Sequence, residues 1–224
     1  MKVLVACEES QEVCKRFREK GHEAYSCDIQ TCSGDHPEWH ILGDVTDLIN
    51  GRCGFDTQDG KHHFINTTWD MIVAFPPCTY LTVTGNRWLN IERYGEKAVQ
   101  RHFDRAEGIN FFMLFTKADC EKIAIENPIG CMSTVYRKPN QIIQPYMFGH
   151  PTQKSTCLWL KGLPELQPTN IVEVDKSDIY SYVAANGRIK HDSRLRSKCK
   201  VSERSKYRSK TFPGIAQAMA DQWG

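Results

Sequence analysis

The sequence predicts an α/β protein built on a doubly wound, mainly parallel sheet. Two observations carry this. A strand–helix–strand unit opens the chain: Val3-Leu4-Val5-Ala6, a helix from Ser10 to Lys20, and a second strand from His22 to Cys27. Two later apolar runs, Trp69 to Val73 and Ile123-Ala124-Ile125, then each end in a tip locked by proline. The first tip reads Ala74-Phe75-Pro76-Pro77-Cys78-Thr79 and the second Glu126-Asn127-Pro128. Open sheets of this class bind ligands at the C-terminal ends of their strands, so these tips are the expected seat of the chemistry.

Lys2 to Ala6 reads as the first strand. In the helix that follows, Val13 and Phe17 lie one turn apart, and Gly21 stops it. The second strand runs into an acid, Asp28. Trp39 to Leu42 reads as a third strand, and Asn50 to Thr68, Gly-rich and polar, as a loop. Tyr80 to Gly95 is a mixed loop containing Trp88 and Tyr94. Glu96 to Ala118 shows helical spacing through Ala98, Phe103, Ala106, Ile109, Phe112 and Leu114. Pro139 to Pro151 reads as a loop, and Ser155 to Leu160 as a strand in which Leu158 and Leu160 alternate. Gly162 and Pro164 mark a boundary. In the tail, Ile215, Met219 and Trp223 at i, i+4 and i+8 share one helical face. The expected organisation is a main domain over residues 1–160, a small appendage over 161–210, and a C-terminal helix over 211–224 that returns to the main domain.

With 224 residues, 40% hydrophobic and 25% charged, the composition is that of a soluble globular protein. No run of 18 apolar residues exists, which excludes a helical membrane span. No signal-peptide pattern precedes the first strand, and ten cysteines lie scattered rather than in a disulfide framework. The expectation is a cytoplasmic protein. Its net charge of +2 hides an asymmetry: Arg188 to Lys210 holds ten Lys or Arg and two acids, while the remainder has 19 basic and 25 acidic residues. A basic segment on an acidic body points to a polyanion partner; a solvated loop is the plainer reading.

Each proline fixes its own φ and biases the residue before it towards extended geometry. Cys78 is therefore presented with a defined aim. A thiol and a carboxylate, Cys78 and Glu126, on neighbouring strand tips suit nucleophilic attack on an electron-poor ring with acid assistance. Cys27, Cys32, His36 and His40 also have zinc-ligand types at zinc-like spacing. Cys27 and Asp28 sit at a strand end, where a cofactor competes for the place, and no metal is assigned.

The ordered set of motifs resembles the DNA cytosine-5 methyltransferases. Pro76-Pro77-Cys78 and Glu126-Asn127 are similar to the family's catalytic motifs. Gly43-Asp44-Val45-Thr46-Asp47-Leu48 resembles its adenine-contacting segment, and Gln153 to Leu160 its later Gln-containing strand. The likeness covers about residues 1–160 plus the last helix, in the manner of short phage and prophage methyltransferase-like proteins. It implies a Rossmann-like S-adenosylmethionine-dependent fold with a small basic appendage, and methyl transfer to carbon 5 of cytosine through a covalent Cys78 adduct. It also implies that Glu126 bonds the ring, that Asn127 holds the strand tip, and that Asp28 takes the ribose hydroxyls. Asp44 would take the adenine amine, with Val45 against the adenine ring. Cys7, Glu8, Glu9 and Pro76 would face the cofactor. DNA, duplex or single-stranded, would be the partner, contacted by Lys154, Arg194, Arg196, Lys198 and Lys200. No obligate protein partner is expected.

Three departures stand out. The loop after the first strand, Cys7-Glu8-Glu9-Ser10-Gln11, has no glycine where the family carries several. The later strand has Ser155 and Cys157 where the family carries arginines. The C-terminal motif, Thr211-Phe212-Pro213-Gly214-Ile215-Ala216, lacks the family's Gly-Asn pair. Residues 161–210 are too few for a large DNA-reading domain, so low sequence specificity or a small or single-stranded substrate is expected. Two other functions compete: methylation of a free pyrimidine nucleotide, and nucleic-acid binding by a catalytically degenerate relative.

Overall fold

The computed structural model describes residues 1–174 and 210–224, and between them the backbone of two paired strands at 179–183 and 189–193. Seven strands form one sheet: β1 (Lys2–Ala6), β2 (Glu23–Asp28), β3 (His40–Leu42), β6 (Met71–Ala74), β7 (Lys122–Pro128), β8 (Gln141–Ile143) and β9 (Thr156–Lys161). Their order is β3-β2-β1-β6-β7-β9-β8. The first five are parallel, and β9 is antiparallel to both β7 and β8. This is the doubly wound, mostly parallel α/β sheet that the sequence predicts. Strand order reverses between β1 and β6, where Ala6 stands opposite Ala74; in open sheets of this class the ligand crevice is expected between the loops that follow two such strands.

Alternation along the strands sorts the core into two layers. Leu4, Ala6, Ile72, Ala74, Ile123 and Ile125 face helix α3 (Glu96–Thr116) through Phe112 and Phe115. Val3, Val5, Met71, Val73 and Ala124 face helix α1 (Glu12–Glu19) and the C-terminal helix α5 (Pro213–Trp223). Helix α5 buries Ile215, Met219 and Trp223, with Ala216, Ala218 and Ala220 letting it lie close. It starts at Pro213, whose missing N–H is no loss at a first helical position. Gly214 follows because a Cβ there would stand 1.9 Å from the Phe148 carbonyl oxygen. The Gly214 amide donates to His150 Nε2 at 3.0 Å, and burial lowers the pKa of that imidazole, keeping it a neutral acceptor.

Two segments differ from their expected states. Residues 50–68 contain a hairpin, β4 (Cys53–Asp56) and β5 (His62–Ile65), and not only loop. Phe55 packs edge-on to Tyr25 at 5.0 Å, His63 lies beside it against the same tyrosine, and Ile65 is buried, while His62 and Phe64 face outward. The span 139–151 contains the three-residue edge strand β8, tied down by Gln141, whose side chain bonds both the amide and the carbonyl of Leu166. Between Tyr80 and Gly95 lie a 3-10 turn (Val83–Leu89) and the short helix α2 (Ile91–Tyr94); α4 (Met132–Val135) follows β7. Strands β10 (Ile179–Val183) and β11 (Ile189–Ser193) pair antiparallel.

Phe112 is fully buried and meets Trp159 edge-on at 5.1 Å and 85°. Phe112→Ala is expected to destabilise the protein by about 3–5 kcal/mol, the range for deleting a buried aromatic, read as a lowered urea midpoint. A loss below about 1 kcal/mol would mean that α3 is not fixed to the sheet through this residue.

Candidate active site

The candidate catalytic edge is made by the loops after β6 and β7, which are zipped together. Asn127, buried at the end of β7, donates from Nδ2 to the Pro76 carbonyl at 2.8 Å. Farther out, the Cys131 amide donates to Leu81 O at 2.8 Å and the Val83 amide to Ile129 O at 3.2 Å, around an antiparallel bridge between Thr82 and Gly130. Gly130 is required for this approach, since a Cβ there would lie 2.1 Å from Leu81 O. Cys78 sits on this edge, half-buried, its carbonyl turned inward to the amides of Leu81 and Thr82.

Glu126 projects on the α5 side, where Phe75, Lys154, Thr156, Phe212, Ile215 and Met219 line a cleft with it. Burial raises its pKa, while the Lys154 ammonium and the Thr156 hydroxyl pull it back. Gln144 orients this wall: it accepts from the Lys154 amide at 3.0 Å and donates to Ser155 Oγ at 2.7 Å. Lys154 Nζ stands 5.8 Å from the Phe212 ring centre. Cys157 is pushed up to about 11 by its burial and by Glu126, so it stays a neutral thiol.

Across the crevice, the ends of β1, β2 and β3 converge. The Cys7 thiol is held neutral by burial and by the charges of Asp28 and Asp44, and Cys27 is pushed up to about 12 for the same reasons. Asp28 Oδ1 accepts from the Gln30 amide and Asp44 Oδ1 from the Thr46 amide, both at 2.9 Å. Beside Asp28, Ile29 is 79% exposed. An apolar residue directly after an acid at a strand end is the sequence signal for it.

The glycine-free loop achieves its shape with L residues. Cys7 and Gln11 take φ of 60° and 58°, the left-handed region. Glu8 corrects one expectation: it does not face the crevice. Its two oxygens accept from the amides of Val13 (2.7 Å) and Cys14 (3.1 Å), capping α1, because the first helical amides have no partner within the helix. Val45 is a second correction. It is buried in the core on the α3 side, which leaves little of it for an adenine ring. Glu9 is different from both. It is only 7% exposed and neither carboxylate oxygen has a hydrogen-bond partner. Its charge is felt at His40, and its own carbonyl accepts from Ser33 N at 2.8 Å.

The zinc-like set is dispersed over other partners. His40 bonds Ser26 Oγ and Gln30 O, both at 2.9 Å, through its two nitrogens. His36 pairs with Glu38 at 2.9 Å and stacks on Trp39, and Cys27 Sγ points to Gly43 O. Among the described residues no group of three or more His, Cys, Asp or Glu is placed to hold a metal ion. Arg194, Arg196, Lys198 and Lys200 lie outside the described residues.

Three side chains that the sequence reading did not single out fix the outer half of the Cys78 loop. Arg101 donates to Thr79 O at 3.1 Å, His102 Nε2 to Leu89 O at 3.1 Å, and Arg105 to Tyr80 O at 2.8 Å and Asn86 Oδ1 at 2.7 Å. All three come from one turn of α3. Their i, i+1, i+4 spacing, opposite a loop with free carbonyls, was the only clue.

No protein-family model matches the sequence, and no curated protein does. Among solved structures of similar shape is that of a candidate DNA modification methyltransferase encoded within a prophage (E. coli), at 14% identity and a TM-score of 0.44. The match covers 78% of this chain and 52% of that one, so the chain spans about half that protein's length. No helix among the described residues is long and apolar enough to cross a membrane.

The Glu8 cap carries a pH signature. Burial, opposed by the two amide hydrogen bonds, raises its pKa from 4.5 to about 7. The neutral form is thus the favoured one in the folded protein. Its stabilising contribution is complete below pH 4.5 and is lost as pH rises through about 7, a change of about 3 kcal/mol. Glu8→Gln cannot titrate, so relative to the parent it should be less stable at pH 5 and recover towards pH 8. A stability difference independent of pH, measured by urea unfolding, would rule this out.

Proposed function

We propose that the protein transfers a methyl group from S-adenosylmethionine to carbon 5 of cytosine in DNA through a covalent adduct with Cys78. The observation that carries this reading is the zipped pair of strand tips, with Cys78 on one, Glu126 on the other and Asn127 joining them. Carbon 5 of cytosine is a poor nucleophile. Addition of the Cys78 thiolate at carbon 6 makes the ring enamine-like, and a protonated Glu126 donates a hydrogen bond to N3 as charge develops there. The upward shift of the Glu126 pKa by burial is in the direction that role needs. Lys154, on the same wall, supplies a cation for the base O2 or a neighbouring phosphate. Loss of the carbon 5 proton after methylation expels Cys78 and restores the ring.

The residues across the crevice fit the cofactor. S-adenosylmethionine supplies an electrophilic methyl group when bound. The buried Glu9 carboxylate, whose oxygens have no hydrogen-bond partner, matches its ammonium; a buried polar group left unpaired is unfavourable until a ligand supplies the partner. Asp28 and Asp44 each keep one oxygen free of the local amide bonds described, for the ribose and the adenine amine. Ile29 offers an apolar face for the adenine ring. Cys7 and Pro76 would flank the opening in the loops after β1 and β6. The basic segment containing Arg194, Arg196, Lys198 and Lys200 is assigned to phosphate contacts, which would give a steep salt dependence.

Cys78→Ser is expected to abolish transfer from labelled S-adenosylmethionine to DNA while leaving cofactor binding intact. DNA carrying 5-fluorocytosine should trap a covalent adduct with the parent protein and none with the variant. Near-normal turnover by Cys78→Ser would remove Cys78 as nucleophile. Running duplex DNA, single-stranded DNA and dCMP in parallel separates a polynucleotide from a mononucleotide substrate.

On the cofactor side, Asp28→Ala and Glu9→Gln should each weaken S-adenosylmethionine by about 1–3 kcal/mol in calorimetry. Glu9→Gln should leave the melting temperature of the ligand-free protein unchanged or higher, because neither carboxylate oxygen makes a hydrogen bond that the substitution could remove. A Glu9→Gln protein that binds normally and melts lower would make Glu9 a structural residue.

A further inference from the structure

The loop that carries Cys78 also carries a group of exposed aromatic and cationic side chains. Trp88 is 41% exposed, and its ring lies 4.9 Å from that of Tyr94, inclined by 47°. The Arg87 guanidinium stands 4.7 Å from the Trp88 ring centre and that of Arg93 stands 5.4 Å from Tyr94. Ile91 and Phe103 are exposed as well. A half-exposed tryptophan held open to solvent is unfavourable by itself. Here it is held in place: His102 fixes the carbonyl of Leu89, the next residue, and Arg101 beside it fixes that of Thr79, next to Cys78. Because Arg101 and His102 are adjacent on α3, the Trp88 end and the Cys78 end of the loop are pinned to the same place.

We propose that Trp88 and Tyr94, flanked by Arg87 and Arg93, form a stacking platform for unpaired bases, and that the protein takes its nucleic acid single-stranded. This rests on the methyl-transfer reading only for the identity of the base that reacts at Cys78. Aromatic faces take bases by stacking, and arginines lying over them add cation–π attraction and neutralise the adjoining phosphates. In a duplex both faces of each internal base are already covered by its neighbours. An exposed ring has nothing to stack on there unless the strand opens. A single strand leaves those faces available, and nucleotides flanking the target reach the platform while the target base lies at Cys78.

The test compares a fluorescein-labelled oligonucleotide with its duplex, by anisotropy, on the full chain. The single strand is expected to bind more tightly. Trp88→Ala should weaken it by about 5- to 150-fold, the cost of losing one base–aromatic stack, and leave duplex binding within about twofold. Trp88→Phe, which keeps a stacking face, should recover most of the loss; circular dichroism checks that both variants fold. The proposal is overturned if the parent binds neither form, or if Trp88→Ala binds the single strand normally or weakens both forms alike. It is also overturned if Trp88→Phe is as impaired as Trp88→Ala. Failure of the function itself looks different: a parent that shows this binding pattern but methylates nothing keeps the platform and loses the chemistry. A parent that methylates duplex DNA, with Trp88→Ala equally active, keeps the chemistry and loses the platform.

Discussion

One buried hydrogen bond, from Asn127 Nδ2 to Pro76 O, fixes the relation between the thiol and the carboxylate. Without it, nothing described would join the two tips between the end of the parallel ladder at Ala74 and Ile125 and the Thr82–Gly130 bridge farther out, and Cys78 lies in that gap, four residues beyond the last ladder pairing. Proline supplies the acceptor well. Two consecutive fixed φ angles hold the carbonyl in position. The bond also leaves a debit: Asn127 Oδ1 is buried without a partner. Such an unmade acceptor costs about 1–3 kcal/mol, and it lies at the strand tip that also carries Glu126.

The cofactor side is built on the same logic with different means. A glycine would adopt the left-handed angles of Cys7 and Gln11 freely; these residues do so at about 1–3 kcal/mol each. The loop is held there because it is over-determined. Gln11 donates to Ser26 Oγ and His36 O and accepts from the His36 amide. Glu8 pins the start of α1, and the chain folds back so closely that a Cβ on Gly34 would stand 2.6 Å from Gln11 and from the Ser10 carbonyl. Side chains thus do what glycines do elsewhere, and the lost backbone freedom is replaced by hydrogen bonds. The two carboxylates of the loop divide the work: one is spent on the helix, and the other is left facing inward without a partner.

The sheet was legible because its signals are local. Apolar runs such as Val3-Leu4-Val5-Ala6 and Met71-Ile72-Val73-Ala74 have no alternative state, and Gly21, Pro76 and Pro128 punctuate them. The hairpin at 53–65 was not legible, because its strands are half polar and its buried faces, Phe55 and Ile65, are single residues among His, Asp and Gly. Strand β8 failed for a related reason: three residues between prolines read as loop until β9 supplies the partner. Glu126 and Cys78 could be found from sequence as tips of strands. The difference between Glu8 and Glu9 could not, since it depends on which way each carboxylate turns once the chain passes through a left-handed residue at Cys7. Arg101, His102 and Arg105 were invisible in the same way, because their acceptors are backbone carbonyls some 13 to 25 residues away.

These three residues bear on how the site meets its substrate. The Cys78 loop is referenced to the sheet twice: through Asn127 and Gly130 to β7, and through four side-chain hydrogen bonds to α3, which is itself anchored by Phe112 and Phe115. At about 1 kcal/mol each, the four bonds to α3 together oppose any large swing of the loop by several kcal/mol. A loop that closed over a rigid duplex would have to break them. A loop kept in place needs a substrate that adapts to it, and a flexible strand does so at little expense. On the proposed function, the rigidity that aims Cys78 would therefore shift the burden of fitting onto the nucleic acid.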